Sequence, residues 1–75
     1  MITVFGKSAC TQCTATTREM ERKGIEYTYV DLTEDSTALD KVTSLGYKQA
    51  PVVIAGNDHW AGFRPDKITA LQATT

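Results

Sequence analysis

Short strand-like and helix-like runs alternate along this chain, with glycine or proline at several of the boundaries. Alternating or β-branched apolar residues predict strands at residues 2–5, 25–32, 51–55 and 59–63. Helical spacing predicts helices at 11–23, from the capping residues 33–36 to Leu45, and from Pro65 onward. The order β-α-β-α-β-β-α predicts an α/β fold in which three helices flank a four-stranded mixed sheet.

The same spacing indicates which helix faces are buried. The residues predicted to face the core are Cys13, Ala15, Thr17 and Met20 in the first helix, Leu39, Val42 and Leu45 in the second, and Ile68 and Leu71 in the third. Pro65 and Asp66 suit the first turn of the last helix, because proline needs no partner there and a carboxylate favours the positive helix start.

Size and charge exclude several classes of protein. The chain has 75 residues, which predicts a single domain over 1–75. Its formal net charge is -1 and its basic residues are scattered, so a nucleic-acid partner is not expected. No apolar run approaches the ~18 residues of a membrane span, and the N-terminus lacks the pattern of a signal peptide. We therefore expect a cytoplasmic protein with no membrane partner, in a reducing compartment that does not maintain structural disulfides.

The segment SACTQC, residues 8–13, holds the only two cysteines of the chain. Cys10 is predicted at the junction of the first loop and the first helix, and Cys13 one turn later. The N–H groups and the dipole at a helix N-terminus stabilise a thiolate. The pattern favours a reversible redox pair in which Cys10 attacks a disulfide and Cys13 resolves the mixed disulfide, with Thr11 and Gln12 as spacers.

Three other interpretations of the cysteine pair remain open. A zinc site or iron–sulfur cluster needs further ligands, and with His59 as the only histidine it would require a dimer or an external thiol. A structural disulfide would close a very small loop and constrain little chain. Coincidence is disfavoured, because a C-x-x-C motif beside a βαβ pattern is a specific combination.

Residues close to the cysteines could tune the pair. The Lys7 ammonium could stabilise the thiolate or contact a carboxylate of a partner protein. Alternatively, Lys7 is a solvated surface lysine. Pro51 fits an ordinary trans bond at a strand start. It also fits a cis bond after Ala50, which would present backbone groups to an extended peptide.

The residues after the third strand also allow two interpretations each. Trp60 and Phe63 fit either a docking surface or the core and its hairpin. Arg64 and Asp66 could pair with one another, or Asp66 could cap the last helix. His59 is expected at the surface, with no role as a ligand or base.

Three segments together resemble the NrdH-redoxins, a group of small glutaredoxin-like proteins. They are CTQC at 10–13, GYKQAPVV at 46–53 and GNDHWAGFRPDKI at 56–68. The resemblance covers nearly the whole chain, and the last segment is the most specific. Its residues Trp60, Ala61, Gly62, Phe63, Arg64, Pro65 and Asp66 match a signature that ordinary glutaredoxins lack.

The resemblance implies a thioredoxin fold and a redox carrier with protein-disulfide oxidoreductase activity. It implies that Cys10 is the nucleophile, that Cys13 resolves, and that Pro51 follows a cis bond facing them. Arg64 and Asp66 would fix the signature loop, part of which would face a partner. The implied function is electron donation to the large subunit of class Ib ribonucleotide reductase. Thioredoxin reductase would recharge the chain with NADPH, and we expect a monomer without bound cofactor or metal.

The chain departs from glutaredoxins at the glutathione site. Glutaredoxins typically have Pro-Tyr between the cysteines, Thr-Val-Pro before the third strand, and a Gly-Gly pair. Here those positions are Thr11-Gln12, Gln49-Ala50-Pro51 and Ala61-Gly62. The glutathione site is therefore predicted to be incomplete, and a glutathione-dependent glutaredoxin is the alternative function.

A second departure precedes the first cysteine. Many relatives have Thr-Lys-Pro-Ala there, whereas this chain has Gly6-Lys7-Ser8-Ala9. Because the proline is lost and a glycine gained, the loop before Cys10 is predicted to be looser.

Overall fold

The computed structural model describes residues 1–73, and its elements follow the predicted order. They are β1 (Ile2–Gly6), α1 (Thr11–Arg22), β2 (Thr28–Asp31), α2 (Ser36–Ser44), β3 (Val52–Ala55), β4 (Asp58–Ala61) and α3 (Pro65–Ala73). None of the helices in this part of the chain is long and apolar enough to cross a membrane.

The four strands form one mixed sheet in the order β2-β1-β3-β4. β1 pairs with β2 in parallel, and its other edge pairs with β3 antiparallel. β4 returns along β3 after a two-residue turn, in which Gly56 has a φ of +62°. Glycine is favoured at that point, because a tight hairpin needs a positive φ there. The predicted mixed sheet with three flanking helices is confirmed.

Three strands are shorter than the sequence pattern predicts, although β3 differs only in beginning at Val52 and not at Pro51. β2 was predicted over 25–32 but extends only from Thr28 to Asp31. β1 starts at Ile2 and its Thr3 pairs with Thr28, so little of β1 remains to pair with residues 25–27. β4 ends at Ala61 because Gly62 takes a φ of +85°, which leaves the extended conformation.

One apolar cluster lies between the sheet and the pair α1 and α3. Val4, Met20, Ile25, Val53, Trp60 and Ile68 form it, and Ile2, Tyr27, Ala55 and Leu71 pack against it. The prediction that Ile68 and Leu71 dock α3 is confirmed. Thr16, which was not predicted to face inward, is fully buried in α1. Its hydroxyl donates to the carbonyl of Gln12 at 2.8 Å. This hydrogen bond matters because a buried hydroxyl without a partner would destabilise the fold.

The second cluster lies under α2, on the other face of the sheet. Phe5, Ala38, Val42 and Val52 form it. Of the predicted stripe only Val42 is buried, whereas Leu39 and Leu45 are 47% and 38% exposed. The helix rests on the sheet through Ala38 and Val42, which are four residues apart and so lie on one side of it. Asp35 begins α2 by accepting from the N–H of Ala38 at 3.1 Å.

Candidate active site

The two cysteines lie where β1 leads into α1. Cys10 is the N-cap of α1, with the extended backbone of a cap (φ −113°, ψ 106°). The backbone N–H of Cys13 donates to Cys10 Sγ at 3.2 Å. The sulfur therefore accepts one of the N–H groups that a helix start leaves unpaired. In the reduced protein this N–H and the helix dipole stabilise negative charge on Cys10.

The cysteines differ in exposure and are joined by a disulfide. Cys13 is 2% exposed and faces the core, whereas Cys10 is only partly buried. Their Cα atoms are 5.2 Å apart, within the usual range for a disulfide. An external thiol or disulfide can therefore reach Cys10 but not Cys13, as the sequence pattern indicated.

The glycine before Cys10 lies at the end of β1 and not in the loop that follows, so the looser loop stays a prediction that rests on the lost proline alone. Gly6 is the last residue of β1 and pairs with Asp31. A Cβ on Gly6 would lie 2.6 Å from Tyr29 Oη and 3.0 Å from two ring carbons, so the glycine makes room for this ring. Burial against this surface raises the pKa of Tyr29, and the Asp31 carboxylate raises it further. After β1, Ala9 takes a left-handed backbone with φ 55° and turns the chain into the cap.

Gly6→Ala is expected to lower the free energy of unfolding by about 1 kcal/mol, because the Tyr29 ring must move away. Tyr29 is 44% exposed, so its ring can swing outward, which keeps the effect small. Urea denaturation of Gly6→Ala, Tyr29→Ala and the double variant measures the coupling. In the Tyr29→Ala background the Gly6 substitution should be neutral or slightly stabilising. An equal loss in both backgrounds would contradict the steric explanation.

Pro51 lies at the start of β3, and the Ala50–Pro51 peptide bond is cis, the isomer that the resemblance implied. Pro51 is buried, and its carbonyl accepts from the N–H of Gly62 at 2.8 Å. This hydrogen bond joins the proline to the loop after β4. The proposed contact of Ala50 with a partner backbone stays a prediction.

The signature segment divides into a buried and an exposed part. Trp60 is 4% exposed and belongs to the core cluster, so it does not form part of a docking surface. Ala61 and Gly62 are half-buried, and Phe63 is 37% exposed. Of the two aromatic residues, only Phe63 can meet a partner.

Gln12 connects the cysteine motif to this segment. Its side-chain Oε1 accepts from the backbone N–H of Phe63 at 3.3 Å, across 51 residues of sequence. The sequence pattern indicates no role for Gln12 beyond that of a spacer between the cysteines. No local pattern could reveal this contact, because both partners are brought together by the packing of α1 and α3.

Arg64 and Asp66 pair with one another on the surface beside Pro65, which begins α3. The guanidinium donates through Nε at 3.2 Å and through Nη2 at 3.1 Å to the two carboxylate oxygens. These hydrogen bonds lower the pKa of Asp66 and raise that of Arg64. The pair is exposed and contributes little to stability. It braces the turn between Phe63 and α3, which is one of the two arrangements that the sequence allowed.

Comparison with known proteins adds to this geometry. The glutaredoxin family model matches residues 2–60. The glutaredoxin-like protein NrdH of Salmonella typhimurium is 42% identical over 73 residues, which cover 97% of this chain and 90% of that protein. The structure of NrdH-redoxin from Escherichia coli superposes with a TM-score of 0.91 at 40% identity, covering 93% of this chain and 92% of the other.

The chain belongs to the NrdH-redoxins of the glutaredoxin family.

This redoxin therefore has the thioredoxin fold and is a glutaredoxin-like thiol–disulfide oxidoreductase with a C-x-x-C pair. A glutaredoxin from Archaeoglobus fulgidus also superposes, with a TM-score of 0.83 at 25% identity over 93% of this chain and 83% of that one. This glutaredoxin outside the NrdH group thus shares the architecture of the chain.

A groove of about 730 Å³ on the α2 side of the redoxin ends at Ala50. Leu32, Thr33, Glu34, Ser36, Leu39, Val42, Thr43, Tyr47, Lys48 and Gln49 line it together with Lys7 and Ala50. Lys7 is exposed there, and the structure of residues 1–73 places no hydrogen bond or ion pair on it. Its effect on the thiolate stays a prediction.

His59 is exposed on β4, as predicted, but it has a partner that the sequence did not indicate. Tyr47 Oη and His59 Nδ1 are 2.7 Å apart, and their rings meet edge to face with centroids 5.5 Å apart. This contact ties the segment before Ala50 to the edge strand. Tyr47 lies in a loop and His59 in a strand, so no sequence periodicity could predict their contact.

The described part of the redoxin, residues 1–73, contains no group of three or more His, Cys, Asp or Glu side chains placed to hold a metal ion. The sulfur atoms of Cys10 and Cys13 are bonded to one another.

Proposed function

We propose that this redoxin is the dithiol electron donor of a class Ib ribonucleotide reductase, and that thioredoxin reductase recharges it with NADPH. The observation that carries the proposal is the asymmetric pair: Cys10 is accessible at the start of α1, and Cys13 is buried one turn behind it. Such a pair passes two electrons to a protein disulfide and retains no covalent product.

The exchange proceeds in two displacements. The Cys10 thiolate attacks one sulfur of the substrate disulfide, forms a mixed disulfide, and expels the other sulfur as a thiolate. Cys13 loses its proton and attacks Cys10 Sγ, which breaks the mixed disulfide and releases the second thiolate. Two electrons and, after protonation, two protons have then reached the substrate, and the redoxin is left as the Cys10–Cys13 disulfide.

Recharging reverses the same steps. A dithiol of thioredoxin reductase reduces the Cys10–Cys13 disulfide, and the hydride of NADPH, with one proton from solvent, restores that dithiol. The signature segment at 60–66, which ordinary glutaredoxins lack, supports this choice of reductase. Its Gly62 and Phe63 are hydrogen-bonded to Pro51 and Gln12. The E. coli NrdH-redoxin is also described as having a thioredoxin-like activity profile.

Glutathione is the second candidate reductant, and the groove beside Ala50 favours it. Lys7 and Lys48 provide positive charge there, and about 730 Å³ is enough for a short peptide. This sequence lacks the Tyr, Thr-Val and Gly-Gly residues that glutaredoxins carry at the corresponding positions, which disfavours glutathione as the reductant.

One assay distinguishes the two reductants. A class Ib ribonucleotide reductase and its nucleotide substrate are combined with the redoxin and NADPH. One arm contains thioredoxin reductase, and the other contains glutathione with glutathione reductase. We expect deoxyribonucleotide formation in the first arm and little in the second. Comparable rates with glutathione would overturn the recharging step.

A third arm separates the two halves of the proposal. Dithiothreitol reduces the redoxin without any enzyme, at a concentration too low to serve the ribonucleotide reductase directly. Product formed here but in neither enzymatic arm would mean that another reductase recharges the redoxin. Absence of product even in this arm would remove ribonucleotide reductase as the acceptor.

A further inference from the structure

The segment Gly62–Phe63 is held by hydrogen bonds from both sides of the active site. On one side the Gly62 N–H donates to the Pro51 carbonyl at 2.8 Å. On the other side the Phe63 N–H donates to Gln12 Oε1 at 3.3 Å. The two bonds run from successive residues to two different segments of the chain. They therefore fix the orientation of this short segment between the proline and the cysteine motif.

Gly62 has the Gln12 side chain as its neighbour. Gly62 has a φ of +85°, a conformation that L side chains rarely adopt. A Cβ at this position would lie 3.5 Å from Gln12 Oε1, an ordinary van der Waals distance, so the amide oxygen borders Gly62 without crowding it. Gln12 Oε1 thus borders Gly62 and accepts the hydrogen bond from Phe63.

Gln12 is itself held by its helix. The Thr16 hydroxyl, fully buried, donates to the Gln12 carbonyl at 2.8 Å. Because Gln12 stands between Cys10 and Cys13, its side chain leaves α1 beside the disulfide. The exposed ring of Phe63 is attached to the backbone that this side chain holds. A protein approaching Cys10 meets that surface, whereas a small disulfide has no need of it.

We propose that Gln12 is a positioning residue for protein substrates. Its amide oxygen fixes the backbone of Gly62 and Phe63, and so sets the surface beside Cys10 against which a partner protein docks. Glutamine provides this acceptor without charge, whereas a carboxylate would place a negative charge beside the thiolate and disfavour its formation. The inference rests on the disulfide-exchange chemistry of the family and not on the identity of the reductase.

The test compares three substitutions of Gln12. Gln12→Met keeps the length and removes the acceptor, Gln12→Asn keeps the amide but is too short to reach Phe63, and Gln12→Glu keeps both length and acceptor. Each reduced protein, freed of reductant, is mixed with insulin or with bis(2-hydroxyethyl) disulfide. Single-turnover rate constants are measured for both. Their ratio removes any change in the thiolate fraction of Cys10, because that change affects both reactions.

We expect Met and Asn to lower the insulin-to-small-disulfide ratio about fivefold, equivalent to ~1 kcal/mol for one neutral hydrogen bond, and Glu to restore it. Amide hydrogen exchange of Phe63, followed by NMR on the oxidised proteins, should accelerate in Met and Asn but not in Glu. A ratio unchanged in Met and Asn would overturn the proposal, as would a ratio that falls equally in all three. Unchanged exchange at Phe63 in the Met variant would show that Gln12 does not hold the loop.

Discussion

Replacing Cys10 by serine will reduce disulfide reduction to the uncatalysed rate. A serine hydroxyl stays protonated at neutral pH and cannot act as the leaving group or the attacking anion in thiol exchange. Cys13 cannot take over the first step, because its side chain is 2% exposed and no substrate disulfide can reach it. The Cys10→Ser protein should therefore react no faster with insulin than buffer does.

Cys13→Ser should behave differently, because the first displacement needs only Cys10. The variant should form a stable mixed disulfide with its substrate and complete no further turnover. Mass spectrometry of the acid-quenched reaction would detect the adduct. On a gel the adduct should appear without reductant and disappear when dithiothreitol is added. Full dithiol activity in Cys13→Ser would contradict the two-thiol mechanism. Adduct formation by Cys10→Ser would contradict the assignment of the nucleophile.

Trp60→Ala is expected to lower the free energy of unfolding by about 3–5 kcal/mol, which is much of the stability of a small domain. Trp60 is 4% exposed and packs with Val53 and Ile68 between the sheet and α3. Its indole Nε1 has no hydrogen-bond partner within residues 1–73. Trp60→Phe retains a ring and removes this N–H, so it should cost less than about 1.5 kcal/mol.

Urea denaturation followed by far-UV circular dichroism measures these losses, since Trp60 is the only tryptophan and its fluorescence is absent from the variants. Phe63→Ala is the matched control: this neighbouring aromatic is 37% exposed and should change stability by less than about 1 kcal/mol. The Trp60→Ala protein could instead be as stable as the parent while Trp60→Phe changes the stability as little as expected. Trp60 would then serve a partner and not the core.

Local patterns predicted the element order and the position of the cysteines because both depend on short-range physics. Strand and helix periodicity set the order. The position of the helix start alone places Cys10 at the accessible N-cap and Cys13 one turn inside the helix. The resemblance added what periodicity could not provide. It implied the cis bond before Pro51, which the general preference for trans bonds disfavoured, and it drew attention to the segment around Phe63.

The features that the sequence did not indicate depend on contacts between distant segments. Gln12 meets Phe63 across 51 residues, so its role cannot be read from the motif that contains it. Gly6 looked like a source of flexibility, but its place under the Tyr29 ring is set by the pairing of β1 with β2. Thr16 was not among the residues predicted to face the core, and its hydroxyl bond to the Gln12 carbonyl exists only once the helix has formed.

The apolar strands at the centre of the sheet do not by themselves specify how they align. Val4 and Phe5 are buried on opposite faces, so a slip of one residue along β1 would bury a comparable apolar set. Alignment must then be selected at the strand ends. Between β3 and β4 the tight turn fixes it, and between β1 and β2 the space that Gly6 leaves for the Tyr29 ring contributes to it. Since Gly6 lies shortly before Cys10, the contact that favours this strand alignment also favours one position of the redox centre relative to the sheet.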